Sequence, residues 1–404
     1  MEKRKFTPFL LLAALICCSH CFAGNLNPTS PPGSTMKTLD EVEPRIPISE
    51  SDLPLTIKDP GSYYFAENIV FEGDGVGAGN AAISIETDNV TIDLMGFSLD
   101  GNLNSKSTAG IYSDRKCITV KNGQVKSFQF YCINIGGEAS DNNTIEKVNA
   151  MISDYPLTVG RNSTIRQCQS TFARQRSIRT DYNCLVTDCV VANGGGFDGD
   201  GIFVQTSSIV SNCNVYIAKE YGIFAHYGSR VVDCAVYSSG KYGIYASDDT
   251  VVTGCAVRNC TGATAIHLNS KCLAENNSVS DSMNGLVIGY GSSIRANQVN
   301  DCTYAITAHN GAMITDNLIQ EVGYGITVGR MCSVKNNHIA MHYSSGIIVN
   351  DYKNVIEGNT IISSSATGIK IVGDNNLYIN NRYSNSTNVD NSGSGNDGID
   401  NTAF

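Results

Sequence analysis

Residues 210–257 read VSNCNVYIAKEYGIFAHYGSRVVDCAVYSSGKYGIYASDDTVVTGCAV, and two short patterns alternate within them. The first is a Cys with one aliphatic residue three positions before it and another two after: Val210/Cys213/Val215, Val231/Cys234/Val236 and Val252/Cys255/Val257. The second is Gly followed by Ile, as in Gly222-Ile223 and Gly243-Ile244, with Ala two positions further on. Both return about every 21 residues, and self-similarity at a fixed short period is the signature of a repeat architecture.

Worked outward, the first pattern marks Cys168, Cys189, Cys213, Cys234 and Cys255, then Asn277, Asn297, Asn317, Asn337, Asn359 and Asn381, at spacings of 20 to 24 residues. Flanking aliphatics keep step, as in Ile294/Val299, Ile314/Ile319 and Val334/Ile339. The second pattern runs from Gly201-Ile202 through Ala265-Ile266, Gly285-Leu286, Ala305-Ile306, Gly325-Ile326 and Gly346-Ile347 to Gly368-Ile369, with fainter copies back to Gly110-Ile111. Two strand signatures per period, each four to six residues long and bounded by Gly, Asn, Asp and Ser, predict a chain that winds into stacked coils and pairs with itself one turn on. No coil buries its own apolar side, but a stack shares one core. The spacing predicts about thirteen coils of an all-β, right-handed parallel β-helix, on the order of 60 Å long at about 4.8 Å per coil. A leucine-rich solenoid lacks its leucine signature here, and a hexapeptide solenoid needs a period of 18.

The Cys/Asn position is preceded by turn-forming residues such as Asp188, Asn212, Asp233, Gly254, Asn276 and Asn336. It therefore sits at a sharp turn, where inward Asn side chains hydrogen-bond to their neighbours one coil above and below. Cys fills the same slot as a small buried hydrophobe with a weak donor. Neither Cys184/Cys189 nor Cys255/Cys260 has the spacing of a zinc knuckle, so the twelve cysteines beyond residue 23 read as buried thiols and no metal site is expected.

The chain opens with Glu2-Lys3-Arg4-Lys5, an apolar run from Phe9 to Ile16 and then Cys21-Phe22-Ala23, the layout of a signal peptide cleaved after Ala23. Ile16, Cys17 and His20, which precede Cys17, Cys18 and Cys21, are not the small residues a lipid-modified Cys calls for. No later stretch approaches the roughly eighteen apolar residues of a membrane helix. The expected location is secreted, periplasmic or on the cell surface. Removal of residues 1–23 moves the formal net charge from −10 to −12, which argues against nucleic acid as a partner. The domain expectation is a flexible leader over 24–35, one β-helix over 36–383 with an N-terminal cap at 36–82, and a polar tail over 384–404 lying loosely on the last coil. A monomer is expected.

The segments DPGSYYFAENIVFEG (59–73) and ISIETDNVTIDLMGFSLDG (83–101), the repeated Gly-Ile and Asn/Cys coils and, more weakly, DNTAF (400–404) resemble the pectin-lyase-like superfamily, in particular its secreted bacterial right-handed β-helix repeat proteins. The resemblance covers essentially the whole chain beyond residue 23. It implies the fold, whereas the activities hosted on that fold range over lyases, hydrolases, epimerases, phage tailspikes, adhesins and a copper-enzyme maturation protein.

In polysaccharide-acting members the substrate lies across the outside of one strand stack. Alternation along the Gly-Ile strand turns outward the row Arg179, Phe203, Phe224, Tyr245, His267, Val287, Thr307, Thr327, Ile348 and Lys370. Phe203, Phe224, Tyr245 and His267 are candidate sugar-binding residues, because an exposed aromatic strip stacks on sugar rings. The plainer account is β-propensity under the loop Asn193–Asp200. Asp198 and Asp200, with Arg179 and His226, are the candidate catalytic set: paired carboxylates serve as acid and base, or hold Ca²⁺ that neutralises a uronate, with Arg as proton acceptor. Asp-Gly-Asp-Gly is also ordinary turn sequence. The hydrolase pattern of the superfamily would add a Gly-His-Gly and an Arg-Ile-Lys, and neither His226-Tyr227-Gly228 nor Gly368-Ile369-Lys370 matches. A cluster of Arg161, Arg166, Arg174, Arg176 and Arg179 suits an anionic polymer or is solvated surface charge. Two functions follow: a binding protein for polysaccharide or a cell-surface component, and a lyase or epimerase on uronic-acid polymers.

Overall fold

Asp188, Asn212, Asp233, Gly254, Asn276, Asp316, Asn336 and Gly358 all hold the left-handed backbone conformation, with φ between +51° and +68°. Each is the corner residue just before a marked Cys or Asn. Asn, Asp and Gly tolerate that conformation best, which is why the turn residues recur there. The corner splits the first sequence pattern into two strands, so a coil has three strands where the sequence predicts two. In the coil of Cys234 they are Arg230–Val232, Ala235–Ser239 and Tyr242–Ala246. Each pairs in parallel with its counterpart one coil on, Val231 with Val252, Val236 with Val257 and Ile244 with Ile266. We refer to the resulting stacks as the first, second and third ladders.

The computed structural model describes residues 44–403 except 105, 195–198, 261, 263, 364 and 365. The expected signal peptide, the leader and the start of the cap lie outside the described residues, as does Asp198. The first ladder runs from Ile46–Ile48 to Asp397–Ile399 and makes about seventeen turns, against the thirteen expected. The additional turns lie at both ends. In the segment expected as a cap, Ile46–Ile48 pairs with Tyr63–Phe65 and Leu55–Ile57 with Ile83–Ile85, so it is already coiled. In the segment expected as a loose tail, Thr387–Asn391 pairs with Thr367–Ile371 and Asp397–Ile399 with Leu377–Ile379. That segment has few apolar residues because its coil buries little: the side chains of 387–399 are mostly exposed. Backbone pairing and the Asn row carry it instead.

Three aliphatic columns meet inside. In the central coils Val231, Val236 and Ile244 and their equivalents are 0–2 % exposed. The Gly of the Gly-Ile pattern is required by that packing: a Cβ on Gly222 would lie 2.4 Å from Val236 Cγ1 and 2.5 Å from the Gly243 carbonyl oxygen. At the corner between the first and second ladders, the backbone N and Nδ2 of Asn277 donate to Oδ1 of Asn297, and the relay continues through Asn317, Asn337, Asn359 and Asn381 to Asn401. Cys255 joins the two halves of the row, donating its backbone N–H to Asn277 Oδ1 at 2.9 Å. A second relay, Asn354 to Asn376 to Asn396, fills the corner between the third and first ladders.

The twelve described cysteines are unbonded, eleven of them buried and Cys117 exposed. Burial pushes the Cys132 and Cys302 thiols up to about 12. Among the described residues no cluster of three or more His, Cys, Asp or Glu side chains is disposed to hold a metal ion.

Candidate functional site

Strand register in the third ladder sets Arg179, Phe203, Phe224, Tyr245, His267, Val287, Thr307, Thr327, Ile348 and Lys370 side by side, as one outward row. The rings of Phe203 and Phe224 stack at 4.9 Å, Phe224 and Tyr245 at 4.9 Å, and Tyr245 and His267 at 5.2 Å. Ring faces are thereby used against one another along the helix axis. Phe203, expected as a sugar-binding residue, is buried; what the rest of the strip turns outward is ring edges, the Tyr245 hydroxyl, bonded to Asn269 Oδ1 at 3.3 Å, and the His267 imidazole.

A parallel row at the start of the same strands escaped the sequence reading. Tyr131, Tyr155, Arg176, Asp200, Tyr221 and Tyr242 follow one another down it. Tyr221 meets Phe224 edge-on at 5.2 Å and stacks on Tyr242 at 5.5 Å, and Lys241 Nζ reaches the Tyr221 hydroxyl at 3.1 Å. The signal was the residue just before each Gly-Ile pair, which a strict alternation rule turns inward. The strand corner turns it outward, beside the row that alternation identifies.

Asp200 is 4 % exposed. Its carboxylate takes the Arg176 Nε–H at 2.9 Å, and the Arg176 guanidinium lies 4.0 Å over the Phe203 ring. Burial raises the Asp200 pKa, and Arg176 opposes that rise. Asp200 pairs in register with Arg176 at the start of the strand, whereas His226 follows its end and bonds through Nδ1 with Thr206 Oγ1 at 3.1 Å. The two are separated by about the length of a five-residue strand, roughly 16 Å. Arg179 lies one coil before Asp200, beside Phe203. Of the candidate catalytic set, Asp200, Arg179 and His226 thus share a strand stack and do not converge on one point. Of the arginine cluster, Arg166 pairs with Glu146 and Arg174 with Asp154, both at 2.6 Å, and Arg161 reaches the Glu138 carbonyl oxygen at 3.3 Å. Arg179 makes no ion pair with a described residue.

Past His267 the strip ends in a hollow of about 220 Å³ lined by Asp248, His267, Asn269, Ser270, Tyr290 and His309. Burial lowers the His267 pKa, so the ring is neutral at physiological pH. Tyr290 stacks on His309 at 5.9 Å.

The right handed beta helix region family model matches residues 200–331. A search of curated proteins finds no match. Among solved structures, a mutant tailspike protein of E. coli bacteriophage HK620 in complex with hexasaccharide aligns over 84% of this chain and 71% of its own, at 12% identity and a TM-score of 0.53. A second mutant of that tailspike aligns over the same shares at 13% identity and a TM-score of 0.54. At such identity the likeness speaks to the fold. No helix among the described residues is long and apolar enough to cross a membrane. With parallel ladders throughout, inward Asn relays, the family-model match and these structural neighbours, the chain is a right-handed parallel β-helix.

Proposed function

We propose that this protein is a glycan-binding rod that works outside the cytoplasm as a single chain, taking an extended polysaccharide along the third ladder. The observation that carries the reading is the double row on successive coils: Phe224, Tyr245 and His267 in one column, Tyr221 and Tyr242 in the other. Hydroxyls and ring edges repeated at the coil spacing suit a polymer that itself repeats. Because ring faces are already stacked, hydrogen bonds and edge contacts would hold the sugar. A protein of similar fold holding a hexasaccharide supports the class of ligand.

The test is a glycan array with the intact protein, followed by titration of the best oligosaccharide. Tyr242→Phe, which keeps the ring stack and removes a hydroxyl, is expected to weaken binding severalfold, and Phe224→Ala to abolish it with the fold intact by circular dichroism. Unchanged affinity in both variants removes the strip as the site.

A second reading, a lyase or epimerase on uronic-acid polymers, rests on the hollow at the end of the strip. There a neutral His267 lies beside Tyr290 and His309, a set able to take a proton from carbon and return one to the leaving oxygen or to the opposite face of the sugar. Incubation with alginate and pectate, with and without Ca²⁺, decides it. An unsaturated uronate absorbing in the ultraviolet marks the lyase, and a change in uronate composition by NMR marks the epimerase. Neither signal over long incubation leaves the binding function.

A further inference from the structure

The outside of the second ladder carries a second line of polar and aromatic side chains in register. On the outside of the second ladder, Ser98, Gln124, Asn149 and Gln169 stand in register on consecutive coils, followed by Val190, Asn214, Ala235 and Ala256. The surface is concave at two places along this line. One hollow of about 560 Å³ lies over the amide side chains, and one of about 370 Å³ lies beside Tyr216 and Tyr237. Seven coil steps separate Ser98 from Ala256, so the line is roughly 34 Å long.

Its chemistry changes from end to end but keeps one sign. The side-chain amides of Gln124, Gln169 and Asn214 make no hydrogen bond with a described residue. Asn149 Oδ1 is buried and without a hydrogen-bond partner. An orphaned buried acceptor costs free energy that a donor from a ligand would recover. Tyr216 and Tyr237 stack at 5.1 Å with planes 5° apart, and both stay exposed, at 49 % and 37 %. Among the described residues no Asp or Glu lines either hollow, although the chain as a whole has 38 acidic against 28 basic residues. The charges present are Lys147 at one hollow and Arg258 at the other, both exposed and neither in an ion pair with a described residue. Five coil steps, roughly 24 Å, lie between them.

We infer that this line is a second binding groove, for an extended acidic polysaccharide. Amides that both donate and accept match sugar hydroxyls. The tyrosine pair offers ring edges and hydroxyls along the chain. Lys147 and Arg258 anchor carboxylate or sulfate groups several sugars apart, in a groove cleared of opposing charge. Nothing in this assignment depends on the third-ladder strip, which is on a different strand stack.

The experiment is titration of the intact protein with sized oligomers of alginate and of chondroitin sulfate, with dextran oligomers as the neutral probe. Lys147→Gln and Arg258→Gln alter exposed side chains, so folding is spared. Their combination is expected to weaken binding of the acidic oligomers by roughly tenfold or more and to flatten its salt dependence. Arg230→Gln, which alters an exposed basic side chain on the outside of the first ladder, should leave that binding as it is. Protection of Lys147 from acetylation by the bound oligomer would give the position directly. The inference is overturned if neither acidic polymer binds, if the double variant binds them as tightly as the parent, or if Arg230→Gln weakens them equally.

Discussion

Asn297 donates twice to Asn317 one coil on, from its backbone N at 2.9 Å and from Nδ2 at 3.1 Å, both to Oδ1. Asn317 in turn donates to the Ile294 carbonyl oxygen and to Asn337 Oδ1. Asn317→Ala therefore orphans the buried Asn297 backbone N–H and takes one donor each from the Ile294 carbonyl and from Asn337 Oδ1, which keeps the Asn317 backbone N–H, and should cost about 3 kcal/mol. Asn317→Cys, which restores the occupant of the upper half of the row, should cost less, because a thiol can donate to the carbonyl as Cys255 does to Val231 at 3.7 Å. Chemical denaturation of the two variants beside the parent checks the order. Equal losses would mean that side-chain volume, and not the relay, sets the energy of the corner.

How far the sequence carries is plain from this corner. The period, the inward Cys and Asn and the turn residue before them were all readable, because one geometric demand repeats at each coil and leaves the same residue type each time. The number of strands per coil was not readable. The turn at Asn212, φ +51°, was itself readable, but Val210 and Val215 on its two sides count as one signature in the repeat although they lie on separate strands, Ile209–Ser211 and Asn214–Ala218. The coil over 387–403 escaped because its stability comes from Asn381 and Asn401 bonding across the corner rather than from apolar residues. The outward row from Arg179 to Lys370 followed from alternation. The companion row through Tyr221 did not, since it sits where alternation fails, and the orphaned Asn149 depends on contacts that no spacing encodes.

Thiol reactivity should be confined to one position. Cys117 is exposed, whereas Cys132 and Cys302 are buried with pKa values pushed up to about 12 and Cys272 to about 11, so their thiolate fraction at neutral pH is negligible. Of the twelve described cysteines, one is expected to react rapidly with an aromatic disulfide reagent in the native protein and all twelve after denaturation. Loss of the fast phase in Cys117→Ser identifies it. A fast phase that persists in that variant would mean that the Cys corner opens.

Stability should fall on the acid side of neutrality. His342 is 1 % exposed, its Nε2 bonded to the Thr367 carbonyl oxygen at 3.1 Å and its Nδ1 without a partner. Burial lowers its pKa, as it does that of His267. Below the unfolded value, about 6.5, the unfolded chain takes up protons that the folded chain refuses, so the stability these groups lend is complete above that pH and declines as pH falls. His342→Gln keeps a donor in the slot without the titration. Melting temperature followed from pH 7.5 to 5 should drop less steeply in this variant than in the parent. Parallel slopes would place the acid sensitivity elsewhere.

The Arg176–Asp200 pair is open to a sharper test, because its two readings differ in sign. Burial holds the Asp200 pKa above the ordinary carboxylate range even with Arg176 at 2.9 Å. A raised folded pKa means that the fold favours the protonated acid. That contribution is complete below about pH 3.9 and is lost as pH rises through the folded value, so at neutral pH the buried carboxylate is a net cost. Asp200→Asn keeps an oxygen for Arg176 Nε–H and removes the charge. It should melt at or above the parent's temperature at pH 7, with the difference shrinking toward pH 4. An acid or base in a glycan reaction behaves otherwise: the same variant would abolish turnover of any polymer found to be cleaved or epimerised. If Asp200→Asn melts several degrees lower at pH 7, the ion pair holds the start of the third ladder and Asp200 is structural. If it melts no lower and any activity survives, Asp200 is neither a structural anchor nor a catalytic residue, and the chemistry of the face must be sought at the His267 hollow.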